Sequence, residues 1–416
     1  MYGTVDYKPT GSLAGLLFKN APLNLVTVFI YRFWAKTAVR RYLWQAVRLN
    51  GEPFEYTGLG RELLIGFLIV VAVLAPAALA WGLLNAALQS DPAVLAISKT
   101  LYALVLYILI LAAGFRARRY RLSRTRWRGI RAAQTGSTWR YIFMALGWSL
   151  VTVLTFGLAA PWMRTALQRY RTTHTWFGNE RFAFDAPARP LLLPWLAVLA
   201  AAAVPLAVMA VFLVPFVIEL IAAAGSGDTA ATKQVTTAHA GKLMLLVVTP
   251  YLCVAIGGVA YVWYRVREFR HFAAHTRLGT LTFRSNASGG RIVGRVLLCV
   301  LACLGGVIGV FVIAVVGAII FGAFSGIFHA AGPSQGTAPG ANAYITGIVV
   351  GIVVVTLMLF LFRLLWTLMV TVGTLRHLCA TLAVDGIEGL DRIAQSPAPA
   401  PKFGEGLADS FDLGAA

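Results

Sequence analysis

Six apolar stretches constrain the fold of this 416-residue chain more than any other feature of its sequence. Each is close to the roughly 20 mostly apolar residues that a helix needs to cross the hydrocarbon core of a bilayer, or longer. With 59% hydrophobic and 12% charged residues, the chain carries more apolar surface than a soluble core of this length needs. We therefore expect a polytopic helical membrane protein. The stretches cover residues 63–88, 98–115, 191–221, 243–264, 296–324 and 344–366.

Two further apolar stretches, 13–33 and 141–162, decide the topology. If both cross the membrane, the chain has eight spans, and the basic loops 163–190 and 264–295 face outward. If both return to their own side as re-entrant or interfacial hairpins, six spans remain and nearly all arginines lie on the inner face. Cytoplasmic loops are enriched in Lys and Arg, so the charge pattern favours six spans. The eight-span topology remains the alternative.

A five-fold repeat marks the inner ends of the apolar segments. In each copy an arginine precedes a tyrosine or histidine, and a tight-turn pair follows seven residues later. Asn-Gly and Asp-Gly pairs favour two-residue hairpin turns, because both central positions need positive φ. The repeat predicts a helix that leaves the membrane and reverses through a short β-hairpin. The copies are Arg41-Tyr42 with Asn50-Gly51, Arg119-Tyr120 with Arg128-Gly129, Arg169-Tyr170 with Gly178-Asn179, Arg270-His271 with Gly279-Thr280, and Arg376-His377 with Asp385-Gly386.

Longer similarities indicate internal duplication. Thr10-Gly11-Ser12 and Thr135-Gly136-Ser137 open two matching units. We divide the chain into a first membrane repeat (1–134), a second (135–290), a partial third (291–393) and a disordered cytoplasmic tail (394–416). The predicted fold class is an all-α polytopic membrane protein with six transmembrane helices, two re-entrant or interfacial hairpins and short cytoplasmic β-hairpins.

The sequence resembles the YjgN-like family of bacterial inner-membrane proteins over residues 7–390. Its most specific part is the run Thr125-Arg126-Trp127-Arg128-Gly129-Ile130-Arg131, which accompanies the Thr-Gly-Ser openings. The resemblance implies a multi-pass protein of the bacterial cytoplasmic (inner) membrane. It implies no biochemical activity, because the family has none assigned.

Candidates for chemistry are few. His271 and His275 are four residues apart and would share one helix face, as metal ligands often do. However, no third ligand stands nearby, and His174 occupies the repeat position of His275, so a structural role explains the pair. The chain has no glycine-rich phosphate loop, nucleophile elbow or zinc-protease motif. We therefore predict no enzyme, catalytic residue, cofactor or metal site.

The arginine-rich inner face is the best predicted functional surface. Nine arginines lie between Arg116 and Arg140, interleaved with aromatic residues that suit a membrane–water interface. Orientation of the protein in the membrane explains them, and so does binding to anionic lipid headgroups or an acidic protein partner. Nucleic acid fits poorly, because the charges lie close to the helix ends. The candidate binding residues are Arg41, Tyr42, Arg119, Tyr120, Trp127, Arg128, Arg131, Arg169, Tyr170, Arg270 and Arg376.

Two classes of function remain open from the sequence. Duplicated units with interrupted membrane segments are found in secondary transporters, which indicates a transporter or channel-like protein for an unidentified solute. The alternative is a non-transporting membrane scaffold or regulator that uses its basic inner face to bind lipids or a partner. The scarcity of polar side chains in the spans leaves the two in balance.

Overall fold

The fold is described from a computed structural model, over residues 2–329 and 341–395. The predicted disordered tail lies outside the described residues from residue 396 onward, as does the middle of the loop that follows the fifth apolar stretch.

Ten short strands form one closed antiparallel barrel, in which each strand pairs with its neighbours in the sequence and the last pairs with the first. The registers Val5↔Leu49 and Gly3↔Val384 join the first strand to the second and to the tenth. The strands are β1 (Tyr2–Tyr7), β2 (Val47–Leu49), β3 (Glu52–Tyr56), β4 (Thr125–Trp127), β5 (Ile130–Gln134), β6 (Thr175–Phe177), β7 (Glu180–Phe184), β8 (Thr276–Leu278), β9 (Leu281–Ser285) and β10 (Leu382–Asp385).

The predicted all-α class is therefore incomplete. β-hairpins are present at the first four turn pairs, and they are joined edge to edge with a strand from each end of the chain. At the fifth pair, Asp385-Gly386, the predicted hairpin is wrong, because a 3₁₀ turn and not a strand follows the last strand. An isolated two-stranded hairpin is only marginally stable and leaves both edges unpaired. Closing the barrel pairs every edge.

Helices leave the barrel as five helical hairpins, which join β1 to β2, β3 to β4, β5 to β6, β7 to β8 and β9 to β10. In the first and third, Ser12 and Ser137 cap the leading helix by accepting hydrogen bonds from Gly15 and Arg140, which explains the duplicated Thr-Gly-Ser. The helices are α1 (Leu13–Val26), α2 (Arg32–Ala46), α3 (Gly60–Ala87), α4 (Pro92–Arg124), α5 (Thr138–Leu154), α6 (Ala160–Thr173), α7 (Leu192–Gly225), α8 (Thr229–Ala238), α9 (Ala240–Ala274), α10 (Gly289–His329), α11 (Ala341–Leu365) and α12 (Gly373–Thr381).

The helical hairpins differ in length. In the described residues, five segments are long and apolar enough to cross a membrane: Gly60–Ala87, Pro92–Arg124, Arg189–Gly225, Gly289–Val310 and Val354–Thr381. In contrast, α1 has 14 residues and α5 has 17, so at about 1.5 Å per residue both fall short of the roughly 30 Å hydrocarbon core. Both short hairpins reverse through positive-φ residues, at Val28 and Phe29 and at Phe156 and Gly157. The two apolar stretches predicted to turn back form these short hairpins.

Apolar side chains fill the inside of the barrel. Trp127, Leu278, Leu281 and Val384 are buried there, and inward-facing residues of the other strands pack around them. Alternate residues point outward, as in any strand. The described barrel interior is therefore a hydrophobic core. The surrounding side chains include Val5, Leu49, Phe54, Ile130, Phe177, Phe182 and Phe283.

The segment after β10 crosses the end of the barrel that carries the hairpin turns. Gly386 adopts φ 80° and starts a 3₁₀ turn, Ile387–Arg392, whose Leu390 and the following Ile393 join the barrel core. We call residues 387–395 the terminal strap. Asn179 fixes its end through two hydrogen bonds to the backbone of Ala394, both 3.0 Å long.

Candidate functional site at the helix–barrel junction

The repeated arginine connects the helix that enters each β-hairpin to the chain that leaves it. Its guanidinium donates to a backbone carbonyl 15 or 17 residues later in the first four units. The bonds run from Arg41 to Gly58 (2.9 Å), from Arg119 to Gln134 (3.0 Å) and Gly136, from Arg169 to Ala186 (3.2 Å), and from Arg270 to Ser285 (3.3 Å). Arg376 holds the matching position in the fifth unit and is exposed.

The tyrosine or histidine that follows reaches the start of the first helix in the same helical hairpin. It therefore closes the base of the hairpin in all five units. The contacts join Tyr42 to the Gly11 carbonyl (3.0 Å), Tyr120 to the Glu62 carboxylate (2.5 Å), Tyr170 to the Ser137 backbone (2.9 Å), His271 to the Pro187 carbonyl (2.7 Å) and the Ser288 N–H to His377 (2.9 Å).

The remaining predicted site residues lie at the opposite end of the barrel. Trp127 is buried in the core, and Arg128 stacks over its ring with 4.7 Å between the guanidinium carbon and the ring centroid. Arg128 also lies 3.2 Å from Asp391, and the Arg131 N–H donates to Gln395. The structure thus divides the predicted site: eight residues lie at the helix–barrel junction, and these three lie beside the terminal strap.

An open groove of about 570 Å³ lies where α7 and α9 meet the barrel, and we call it the outer groove. Three arginines line it, Arg267 and Arg270 from α9 and Arg284 from β9, and none of its lining residues is acidic. Arg267 stacks over Trp263 at 4.1 Å, while the Arg284 side chain is 79% exposed and its Nε lies 3.7 Å from the Asp385 carboxylate, outside the groove lining. The other lining residues are Pro190, Leu191, Pro194, His271, Ala274, Ser285 and Asn286.

A second cavity, of about 620 Å³, lies between α6 and α9 over the helix-side mouth of the barrel. We call it the inner cavity. Arg164 and Arg171 come from α6, and Arg265 and Glu268 come from α9, so both helical walls carry charge. Its floor is apolar, with Phe182, Phe283 and Leu382 contributed by the barrel strands, and its wall includes Phe269 and Phe272.

Glu268 is the single carboxylate of the inner cavity, and it is almost completely buried. Its Oε1 lies 2.7 Å from Arg164 Nε, and Arg265 holds its other oxygen. Burial lowers the pKa of Arg164, but the Glu268 carboxylate and the Tyr261 hydroxyl raise it, and the net direction is upward. Three guanidinium groups line the cavity, and one carboxylate can neutralise only one of them.

The inner-cavity residues are absent from the sequence-based site. One signal was available, because Glu268 is the sole acidic residue between Asp228 and Asp385 and stands three positions from Arg265, one helical turn away. The partners on α6 gave no such signal. They come from another helical hairpin, and only the closed barrel brings the two hairpins together.

The two histidines considered as metal ligands are bonded to the backbone. His271 donates to the Pro187 carbonyl, and His275 Nδ1 lies 2.8 Å from the carbonyl oxygen of His271. In the described part of the chain, no group of three or more His, Cys, Asp or Glu side chains could hold a metal ion.

Comparison with known protein families gives one match. A family model described as a bacterial protein of unknown function (DUF898) matches residues 8–410. No curated protein and no solved structure matches the chain.

Proposed function

We propose that this chain, which belongs to the YjgN-like family of bacterial proteins of unknown function (DUF898), is a six-span inner-membrane protein whose basic helix–barrel junction binds anionic phospholipid headgroups. Lipid binding would make it a membrane scaffold or regulator. The outer groove is the observation that supports headgroup binding most directly.

The barrel supports six spans. Each helical hairpin begins and ends on strands of one barrel, so each must return to the side of the membrane where the barrel lies. A single crossing by 13–33 would separate β1 from β2, although Val5 and Leu49 pair. The five long apolar segments and α9, the 35-residue partner of α7, supply three pairs of spans.

Outward-facing arginines on the strands support a cytoplasmic barrel. Arg126, Arg181 and Arg277 alternate with inward-facing core residues and are exposed. Segments rich in arginine are retained on the cytoplasmic side of bacterial membranes. The junction between helices and barrel then lies at the level of the inner-leaflet headgroups.

The packed barrel favours a binding function over transport. A pathway along the barrel axis would have to pass the buried Trp127, Leu278 and Leu281 and then the terminal strap. Both would have to move for a solute to pass. Binding at the outer groove needs no such rearrangement.

The outer groove suits a phosphate group on a lipid. Arg267, Arg270 and Arg284 approach one open space that has no acidic lining residue, and Trp263 supports Arg267 from behind. Guanidinium groups bind phosphate oxygens through paired N–H donors. Pro190, Leu191 and Pro194 supply an apolar rim on the helix side, where acyl chains would lie.

Lipid selectivity tests the proposal. The full chain is reconstituted in nanodiscs that contain phosphatidylcholine with increasing phosphatidylglycerol, and bound lipid is counted by native mass spectrometry. The variant changes Arg267→Gln and Arg284→Gln together, leaving the structural Arg270 in place. At about 1 kcal/mol for each arginine, phosphatidylglycerol binding should weaken by about 2 kcal/mol, roughly thirtyfold.

The matched control is Arg277→Gln combined with Arg181→Gln. Both residues are exposed on the barrel and lie outside the groove, so this variant removes the same charge and should retain lipid binding. Equal losses in the two variants would show that only the overall charge matters and would refute a specific site.

A further inference from the structure

We propose that the inner cavity is a second binding site, whose ligand is an amphipathic anion: one carboxylate or phosphate group on an apolar body. It is separate from the outer groove. Arg265 and Arg267, two residues apart on α9, line different cavities.

The charge of the inner cavity calls for an anion. Arg164, Arg171 and Arg265 line a cavity with a single carboxylate, Glu268, which leaves two positive charges without a counter-charge among the lining residues. Uncompensated charges at a partly buried site are costly, and an anionic ligand would neutralise one or both.

The arginines have donors to spare. A guanidinium has five N–H donors. Arg164 donates one hydrogen bond, to the Tyr261 hydroxyl, and forms an ion pair with Glu268. Arg265 uses one on Glu268, and Arg171 uses one on the Tyr141 hydroxyl. Glu268 fixes Arg164 and Arg265 in place, so it positions their remaining donors for an incoming carboxylate or phosphate.

The apolar part of the cavity favours an organic anion over a simple ion. Besides the arginines, the cavity is lined by Phe182, Phe272, Phe283 and Leu382, of which Phe182 and Phe283 pack against the barrel core. A free inorganic anion would leave this surface facing water, whereas a hydrocarbon or aromatic body would cover it. Small-molecule sites are typically pockets with mainly apolar walls and a few polar groups that orient the ligand.

Size and access are consistent with such a ligand. A volume of about 620 Å³ lies within the range of pockets that hold small organic molecules. The Arg265 side chain is 49% exposed, so the charged part of the cavity opens to the surroundings. An amphipathic anion could enter with its charged group at Arg265 and its apolar part toward Phe182.

Decanoate is the probe for the experiment. The purified full chain is placed in phosphatidylcholine nanodiscs, and binding of radiolabelled decanoate is measured by scintillation proximity, with empty nanodiscs as background. We expect saturable binding that decyl phosphate displaces. Decanol, which lacks the charge, and inorganic phosphate, which lacks the apolar body, should displace decanoate at least tenfold less well.

Arg265→Gln is the test variant, and Arg126→Gln, at an exposed barrel position outside both cavities, is its matched control. Decanoate affinity should fall at least tenfold in the first and stay within twofold in the second. A decanoate analogue with a diazirine should also label the wild-type chain at the apolar wall of the cavity, at Phe182, Phe272, Phe283 or Leu382, which gives a readout that needs no variant. Equal affinities in both variants, effective displacement by phosphate or decanol, or labelling elsewhere would overturn the proposal.

Discussion

At the scale of single residues, the repeated arginine and the tyrosine or histidine that follows it hold the backbone together in most copies. Arg41 binds the carbonyl of Gly58, and Tyr42 binds the carbonyl of Gly11, so adjacent side chains hold the two ends of one unit. The recurrence of this pair alone therefore cannot identify a binding surface. The arginines that line the cavities without holding a backbone carbonyl, such as Arg267 and Arg265, are better candidates.

Removing one hydroxyl tests this structural role. Tyr170 both donates to the Ser137 carbonyl and accepts from the Ser137 N–H, in a part-buried position. Tyr170→Phe should lower the free energy of unfolding by about 1–2 kcal/mol, because two hydrogen bonds are lost where water has little access. The readout is the apparent melting temperature in detergent.

Tyr42→Phe provides the comparison. Its hydroxyl makes one hydrogen bond, to Gly11, at an exposed position where water can replace it. The melting temperature should fall less than in Tyr170→Phe. A larger fall in Tyr42→Phe would contradict the assigned roles.

At the scale of helices and strands, local sequence signals predict most helices and hairpins but do not predict that the strands close into a barrel. The turn pairs located β-hairpins such as the one at Asn50-Gly51, because positive φ there is a local property. Predicted spans stop short of the helices, as with 98–115 against Pro92–Arg124, because apolarity marks the bilayer while the helix continues to the barrel. No local signal predicted β1, whose partner β10 lies at the other end of the chain.

The inner cavity was missed for the same reason. Arg164 and Glu268 are separated by more than 100 residues in sequence, and their 2.7 Å contact depends on two helical hairpins leaving the barrel side by side. Hydrophobic periodicity reports the environment of one helix and contains no information on such pairs.

The terminal strap is an element whose contribution can be measured. Leu390 is buried in the barrel core, so Leu390→Ala should cost about 2–5 kcal/mol and lower the melting temperature. Arg392→Ala, two residues along on the exposed side of the strap, should stay within about 0.5 kcal/mol of the wild type. If both variants melt like the wild type, the strap does not belong to the core.

At the scale of the whole molecule, the barrel unites five helical hairpins of unequal length. The long ones are suited to the membrane, and the short ones, α1–α2 and α5–α6, have the length to enter it and return. Because all ten strands belong to one barrel, every helical hairpin must start and end on the same side of the membrane as the others. Both cavities lie where hairpins meet the barrel, so the proposed binding functions follow from this architecture.

The pairing of β1 with β2 tests that architecture most directly, because a single crossing between them would place them on opposite sides of the membrane. Asp6 and Arg48 are register partners on the outer surface of the barrel. In a chain whose four native cysteines are replaced, Asp6→Cys with Arg48→Cys should form a disulfide in native membranes under mild oxidation, detected by mass spectrometry. Asp6→Cys with Arg277→Cys, whose β8 position is distant in the strand order, should not. Efficient cross-linking of the first pair alone is the predicted result; no cross-link in the first pair, or equal yields in both, would contradict a single closed barrel on one side of the membrane.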